Sequence, residues 1–170
     1  MELIKPTTEH KQKALAYRQA HFDHNEPAMQ GVNRLDQAET YEAWLDHLEL
    51  VERGAHEYLL PSSTYFAMID GGIVGVVDIR HRLNDFLLTT GGHIGYGVHP
   101  QERRKGYATE ILRLALKKCE ALGIPKALVT CDKTNIGSMK TIIKNGGVLE
   151  NEHVSDNGNV TLRFWIDVVG

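Results

Sequence analysis

Apolar residues recur along the chain with two periodicities, one typical of strands and one typical of helices. Residues 64–69 and 73–79 are rich in β-forming residues and flank Asp70-Gly71-Gly72, a combination that predicts a hairpin. The continuous apolar run over residues 127–131 predicts a buried strand. Three more strands are expected at residues 3–4, 148–154 and 160–168, the last two joined by a turn at residues 156–158.

Helical spacing of apolar side chains predicts four helices. The first covers residues 8–22 after Thr7, and the second begins after Asp36 as its cap, with Glu39 at the capping-box position. The third follows Gly106, and the fourth lies near residues 135–145. The inward-facing residues are expected to be Tyr41, Trp44, Leu45, Leu48 and Val51 in the second helix, Ala108, Ile111, Leu112, Ala115, Cys119 and Leu122 in the third, and Ile136, Met139, Ile142 and Ile143 in the fourth.

One further strand, over residues 93–99, contains two glycines. Gly95 and Gly97 weaken a strand, and glycines in such positions mark a bulge or the close approach of a backbone or a ligand. With this strand the order of elements is β-α-α-β-β-β-α-β-α-β-β, which predicts an α/β fold with a mixed sheet and helices packed on it.

Composition changes this picture little. The chain has 170 residues, of which 42% are hydrophobic and 24% charged, and this profile is typical of one globular domain spanning residues 1–170. A disordered chain, a collagen-like chain and a disulfide scaffold are excluded.

Charge is distributed unevenly along the chain, although its total is only −3. Residues 1–60 carry 6 basic and 11 acidic side chains, whereas residues 101–145 carry 10 basic and 4 acidic ones. A positive stretch inside a mildly acidic protein indicates a local anion site rather than a track for a long polyanion. No nucleic-acid partner is therefore expected.

The two cysteines, Cys119 and Cys131, form neither a disulfide framework nor a zinc motif, which favours a reducing, cytoplasmic compartment. No metal is expected, since His21, His24 and Asp23 lie at a helix end that is expected to be exposed and lack further ligands. The sequence also has neither a secretory segment nor an apolar run long enough for a membrane span, so no membrane partner is expected.

The candidate chemistry lies in the segment Gly95 to Thr109, which reads as a strand, a short basic loop and the start of a helix. Free backbone N–H groups at a helix start, the positive end of the helix dipole and a glycine for close approach together favour a diphosphate. Arg103, Arg104 and Lys105 add positive charge. The P-loop and dinucleotide motifs are both excluded, because no Gly-Lys-Ser/Thr occurs and Pro100 interrupts the glycine spacing after Gly97.

This segment resembles the acyl-coenzyme A (CoA) loop of the GNAT N-acetyltransferase family, whose pattern is Gln/Arg-x-x-Gly-x-Gly/Ala directly after a strand. Here the pattern stands as Arg103-Arg104-Lys105-Gly106-Tyr107-Ala108, and the order of elements over most of the chain is also similar. The resemblance implies a single-domain GNAT-like fold with a central, bulged mixed sheet flanked by helices. It also implies acetyl-CoA as co-substrate, an amine acceptor and a possible homodimer.

By the same resemblance, backbone N–H groups from Arg104 through Tyr107 and Ala108 to Thr109 hold the CoA diphosphate, while Arg103 and Lys105 provide positive charge. Main-chain groups of Tyr96 and Val98 would pair with the pantetheine arm, and the Val98 N–H would polarise the thioester carbonyl. The family's Asn-x-x-Ser/Ala feature stands as Asn135 to Ser138 and assigns both residues to CoA binding, although each also suits an ordinary helix cap.

The chain departs from the family pattern at the usual proton donor. Many members carry a tyrosine seven residues after the asparagine, where this chain has Ile142. Ser138, Tyr96 or an ordered water is expected to take that part, unless the thiolate leaves unassisted. His93 is the candidate base, because it titrates near neutral pH, with Asp78 and Glu150 as alternatives.

The sequence leaves the acceptor open. Acidic residues near the N-terminus would attract a cationic small molecule or a protein amine, or they would simply form a solvated helix face. They are Asp23, Glu26, Asp36, Glu39, Glu42 and Asp46. The missing tyrosine also keeps open an alternative function, a non-catalytic acyl-CoA-binding module.

Overall fold

The computed structural model describes residues 1–169, and its strands and helices follow the predicted order. The strands are β1 (Glu2–Ile4), β2 (Ser62–Ile69), β3 (Gly72–Arg80), β4 (Ile94–Val98), β5 (Lys126–Asp132), β6 (Val148–Val154) and β7 (Val160–Asp167). The helices are α1 (Lys11–Asp23), α2 (Tyr41–Glu52), α3 (Tyr107–Ala121) and α4 (Ile136–Lys144). No helix within the described part of the chain is long and apolar enough to cross a membrane.

The strands form two sheets flanked by helices, which confirms the predicted α/β class. In place of the expected single mixed sheet, both sheets are antiparallel within residues 1–169. The first sheet has the order β1-β2-β3-β4, and the second has the order β5-β7-β6. The predicted hairpin joins β2 and β3 through Asp70 and Gly71, both with positive φ. Register irregularities lie in β2, between Ala67 and Met68, and in β6, between Leu149 and Asn151.

The predicted bulge in β4 is absent. Five consecutive residues of β4 pair in regular register with β3, from Ile94 opposite Ile79 to Val98 opposite Gly75. The glycines serve close approach instead: a Cβ at Gly97 would lie 2.9 Å from the Gln30 carbonyl oxygen, and one at Gly95 would lie 3.2 Å from the Arg80 guanidinium. These residues therefore admit another loop and a side chain against this face of the sheet.

Main-chain hydrogen bonding joins the two sheets between β5 and the residue that precedes β4. The His93 N–H donates to the Leu128 carbonyl at 2.7 Å, and the Leu128 N–H donates to His93 Nδ1 at 2.9 Å. Gly92 has φ +67°, and a Cβ there would lie 2.7 Å from the Leu128 oxygen, so this junction requires glycine. Beyond it β4 pairs only with β3 and β5 pairs only with β7, within residues 1–169.

Each face of the first sheet is covered by its own apolar cluster. One cluster packs β2, β3 and the second sheet against α3, with Ile111, Leu112, Ala115 and Cys119 of that helix buried. The other packs the opposite face, including Phe66, against α1 and α2. Since α3 and α2 present their predicted apolar stripes to different faces, the first sheet is covered on both sides.

Three local predictions are wrong. Helix α2 begins at Tyr41 with Thr40 as its cap, because the Thr40 hydroxyl accepts the Ala43 N–H, whereas Asp36 accepts the Met29 N–H in the preceding loop. In α4, Ile136 and Ile143 were expected to face inward but are about half exposed. Thr141 is buried instead, together with Ile142. Leu122, at the end of the α3 stripe, is exposed.

His93, at the junction of the two sheets, should make the free energy of unfolding depend on pH. Burial lowers the pKa of His93 from 6.5 to about 4, with the Arg80 charge acting in the same direction. The unfolded chain therefore binds a proton at His93 in a range where the folded chain does not, and stability falls as pH drops from 6.5 towards 4. The control is His93→Gln, because glutamine keeps a hydrogen-bond acceptor and does not titrate. Between pH 6.5 and pH 5 the unfolding free energy of the native chain should fall by about 2 kcal/mol more than that of the variant. Denaturant unfolding at both pH values measures this difference, and parallel losses in the two proteins would contradict it.

Candidate functional site

A cavity of about 580 Å³ lies where the basic loop, the end of β4 and the start of α4 come together. Its walls include Tyr96, Gly97 and Val98 of β4, Asn135 and Ser138 near the start of α4, and six residues of the basic loop and the first turn of α3, namely Arg103, Arg104, Gly106, Tyr107, Ala108 and Thr109. The structure therefore brings together ten of the eleven predicted CoA-binding residues. Lys105, the eleventh, is outside the lining and bonds to Glu102 at 2.6 Å.

The start of α3 leaves backbone donors unsatisfied at this cavity. Gly106 is the N-cap with φ +81°, and no side chain caps the helix. The first N–H groups of a helix lack intrahelical partners, and here the residues that carry them, Tyr107, Ala108 and Thr109, line the cavity. A Cβ at Gly106 would meet nothing within 4 Å, so the space beside this helix end is open. These donors and this space suit a diphosphate.

The basic loop is joined to the α1–α2 connection by an ion pair. Arg103 donates from both terminal nitrogens to Glu26, at 2.7 and 2.6 Å, and these hydrogen bonds lower the pKa of Glu26. Both residues line the cavity. Arg103 is therefore already committed to a carboxylate, whereas Arg104 has no ion-pair partner within residues 1–169. Arg104 is the uncommitted cation of the loop.

Main-chain groups of β4 point toward the gap between the sheets. His99 N–H donates to the Val74 carbonyl and the Arg80 N–H donates to the His93 carbonyl, which places residues 93, 95, 97 and 99 on the β3 side of the ladder. Because these groups alternate along a strand, the N–H and C=O groups of Tyr96 and Val98 point away from β3. They are available to an extended ligand beside β4.

The two predicted proton donors contact each other at the cavity wall. The hydroxyl oxygens of Tyr96 and Ser138 lie 2.7 Å apart, and the Ser138 N–H donates to the Asn135 side chain at 3.1 Å. Burial raises the pKa of Tyr96 to about 12, so this phenol stays protonated near neutral pH. Ile142, at the position of the family's tyrosine, is fully buried and packs against Gly147.

None of the three predicted bases lines this cavity within the part of the chain that the structure describes. His93 is a buried junction residue whose Nδ1 lone pair is already used by Leu128, and its low pKa places its titration outside the neutral range, so the geometry does not support it as a base. Asp78 is buried beside Arg80, and Glu150 accepts from Arg163 and Trp165 on the second sheet.

Sequence reasoning missed a histidine that does line the cavity. His21 is buried at the end of α1, and its Nδ1–H donates to the Tyr17 carbonyl at 3.0 Å, which leaves Nε2 as the nitrogen with a lone pair. Burial lowers the pKa of His21, so the ring is neutral near pH 7. The sequence carried no signal for this role, because 75 residues separate His21 from Tyr96 on the opposite wall.

A second cavity, of about 500 Å³, lies on the other side of Met29 and Gln30, which line both cavities. Its lining includes the buried Asp78, whose Oδ1 accepts from Thr64 at 2.9 Å and whose Oδ2 lies 3.2 Å from Arg80 Nε. Burial raises the pKa of Asp78, and Arg80 opposes that shift. The carboxylate is held in place by these partners.

Comparison with known proteins gives the family and the fold. Residues 3–148 match the family model for an acetyltransferase (GNAT) domain. No curated protein sequence matches the chain.

Three solved structures of low sequence identity share the fold. RimJ from Mycobacterium smegmatis, in complex with CoA-disulfide, has a TM-score of 0.72 at 19% identity, covering 97% of this chain and 80% of its own. A chimera of the spermidine N-acetyltransferase SpeG from Vibrio cholerae with hSSAT has a TM-score of 0.66 at 14% identity, covering 99% and 97%. The microcin C7 self-immunity acetyltransferase MccE, in complex with acetyl-CoA and AMP, has a TM-score of 0.64 at 16% identity, covering 97% and 91%.

The anion site can be tested by a pair of glutamate substitutions. Gly106→Glu places a carboxylate beside the uncapped start of α3, and like charge at a phosphate site costs several kcal/mol, so affinity for CoA should fall about a hundredfold or more. Calorimetric titration with CoA measures the loss.

Gly123→Glu is the matched control, because Gly123 at the far end of α3 also has positive φ and open surroundings and does not line the cavity. Each variant should lose about 1–2 kcal/mol of stability from the left-handed backbone. Unchanged CoA affinity in Gly106→Glu, or an equal loss in both variants, would remove the proposed site.

Proposed function

Because the chain belongs to the GNAT acetyltransferase family and is therefore an acyl-CoA-dependent N-acyltransferase, we propose that it transfers the acetyl group of acetyl-CoA to a primary amine. The amine attacks the thioester directly in a ternary complex, with no acyl-enzyme intermediate. The observation that supports this most is the convergence of the uncapped α3 start, the free main-chain groups of β4 and the Tyr96–Ser138 pair on one cavity.

Acetyl-CoA supplies the thioester, and the residues of the first cavity would hold it. The N–H groups at the start of α3 and the Arg104 side chain bind the diphosphate, and the main-chain groups of Tyr96 and Val98 pair with the pantetheine arm. The Val98 N–H donates to the thioester oxygen as negative charge develops on it. Asn135 is committed to the Ser138 N–H through its side-chain oxygen, which leaves its amide NH2 group for the ligand.

Proton transfers complete the reaction on opposite sides of the acyl group. The attacking amine forms the new N–C bond and loses one proton, while the S–C bond breaks and its electron pair goes to the thiolate. Ser138 donates a proton to that sulfur and recovers one from Tyr96, since their hydroxyl groups share a short hydrogen bond, and Tyr96 regains its proton from solvent as the products leave. His21 Nε2 accepts the proton of the amine, because the Nδ1–H bond to Tyr17 fixes that tautomer.

Cysteine chemistry has no part in this scheme. Cys131 is buried, and burial raises the pKa of its thiol, so the reactive thiolate form is scarce near neutral pH. Direct attack by the amine therefore agrees better with the site than an acyl-cysteine would.

Turnover separates this function from the alternative of a non-catalytic acyl-CoA-binding module. With saturating acetyl-CoA and a panel of amines, free CoA thiol should appear in proportion to acetylated amine, as followed by a thiol reagent and mass spectrometry. Binding of acetyl-CoA without thiol release for any amine would favour the binding module.

Substitutions of His21 and Ser138, the two groups proposed to transfer protons, should change the pH–rate profile in different ways. His21→Gln should lower kcat and remove the loss of activity at acidic pH, because the base works only when neutral and its pKa is below 6.5. Ser138→Ala should lower kcat by about 10²–10⁴-fold, the usual contribution of general acid catalysis, while the acidic limb stays in place. Tyr96→Phe is the companion variant, because it removes the Tyr96 hydroxyl and leaves the Ser138 hydroxyl in place.

These assignments are measured as full pH–rate profiles of each variant. An acidic limb that survives in His21→Gln would contradict the role of the histidine. A kcat for Ser138→Ala within twofold of the native value would contradict that of the serine.

A further inference from the structure

The acidic residues near the N-terminus do not gather at a cavity. Glu26 is bound to Arg103, Glu42 to Lys11, and Asp23 accepts from Gln19. Of the six acids in this region, Asp36 alone lines the second cavity, among the residues that the structure describes. The net negative charge of residues 1–60 is therefore spread over the surface and does not define a pocket for a polycation.

The second cavity instead contains opposite charges in equal number. Asp36 and Asp78 are balanced by Arg34 and Arg80 in its lining. Both oxygens of Asp78 are engaged, one by Thr64 and Asn33 and the other by Arg80. The carboxylate that could attract a second cation at the bottom of the cavity is thus already committed.

Arg80 retains unused donor capacity. Its Nε faces Asp78 and its Nη1 donates to the Gly91 carbonyl at 3.2 Å, while Nη2 has no partner within residues 1–169. The guanidinium lies against Gly95 of β4, with Nη2 3.3 Å from where a Cβ would stand, and Gly95 precedes Tyr96. A fixed cation with free N–H groups, next to the strand that carries the acyl group, suits a carboxylate.

Apolar side chains complete the cavity. Val32 and Val51 are fully buried, Leu87 is nearly so, and the exposed rings of Tyr58 and Phe86 stand at the rim. Exposed aromatic side chains beside a polar cavity are typical of a ligand site. Asp36, beside the wall of Met29 that both cavities share, supplies an oxygen for an incoming ammonium group.

From this arrangement we propose that the second cavity binds the acceptor and that the acceptor is an amino acid or amino acid derivative with an apolar side chain. Arg80 holds its carboxylate, the apolar walls hold its side chain, and its amine is directed past Met29 and Gln30 toward the first cavity. This inference rests on the proposed function for the reaction itself, whereas the ligand class rests on the second cavity.

Binding can be measured without turnover by using CoA in place of acetyl-CoA. In the CoA-saturated protein, calorimetry should show that L-leucine binds at least about tenfold more tightly than L-leucinamide, which lacks the carboxylate. A tenfold difference corresponds to about one charge-assisted hydrogen bond. Spermidine should bind no better than L-leucinamide. Equal binding of leucine and its amide, tighter binding of spermidine, or no binding of any of the three would overturn the proposal.

A double variant removes the cation without leaving Asp78 unpaired and buried. Asp78→Asn with Arg80→Gln should bring leucine to the affinity of leucinamide and leave the affinity for leucinamide within about twofold. Asp78→Asn alone keeps the guanidinium and should keep the preference for leucine. An equal loss for both ligands in the double variant would show a structural effect and overturn the role of Arg80.

The same amines with acetyl-CoA distinguish the two proposals. If leucine binds selectively but no amine releases thiol, the proposed transferase reaction fails while the ligand class stands. If thiol release occurs with spermidine or leucinamide as readily as with leucine, the reaction stands and the ligand class fails.

Discussion

The candidate site depends on the junction at which main-chain hydrogen bonding passes from the first sheet to the second. His93 and Leu128 exchange two hydrogen bonds at the start of β4, and the ladder between β4 and β5 goes no further within residues 1–169. Main-chain groups of Tyr96 and Val98 are consequently left without strand partners. A backbone that offers unpaired donors at the wall of a cavity is a ready template for an extended ligand.

Two ion pairs hold the segments that surround the unpaired side of β4. The Arg103–Glu26 pair ties the basic loop to the α1–α2 connection, and the Arg80–Asp78 pair holds a guanidinium over β4. The first pair is partly exposed and is worth little as a source of stability. In the second pair Asp78 is buried and therefore requires its partner, and the remaining donor of the partly exposed Arg80 is held in a defined place.

The sequence predicted more of the candidate CoA site than of the candidate catalytic groups. The loop from Arg103 to Thr109 is contiguous, so its pattern of charge and glycine is visible without the fold. Asn135 and Ser138 follow a buried strand and open a helix, which also places them by local rules. The candidate base is less accessible to sequence rules, because His93 directly precedes β4 and yet faces the junction, whereas His21 reaches the cavity from a distant helix.

Local chemistry therefore determined the order of the elements, the α/β class and the diphosphate loop, because periodicity, turn residues and helix starts are encoded over a few neighbouring positions. Tertiary structure alone decided which charges meet. The negative charge of the N-terminal region left both a cationic acceptor and a solvated helix face open. In the structure Glu26 and Glu42 are engaged in ion pairs formed across tens of residues, while Arg80, paired with Asp78, keeps an N–H donor beside β4 that is unpaired within residues 1–169. Charge counts are additive along a sequence, whereas the field in a cavity depends on which partners the fold brings within bonding distance.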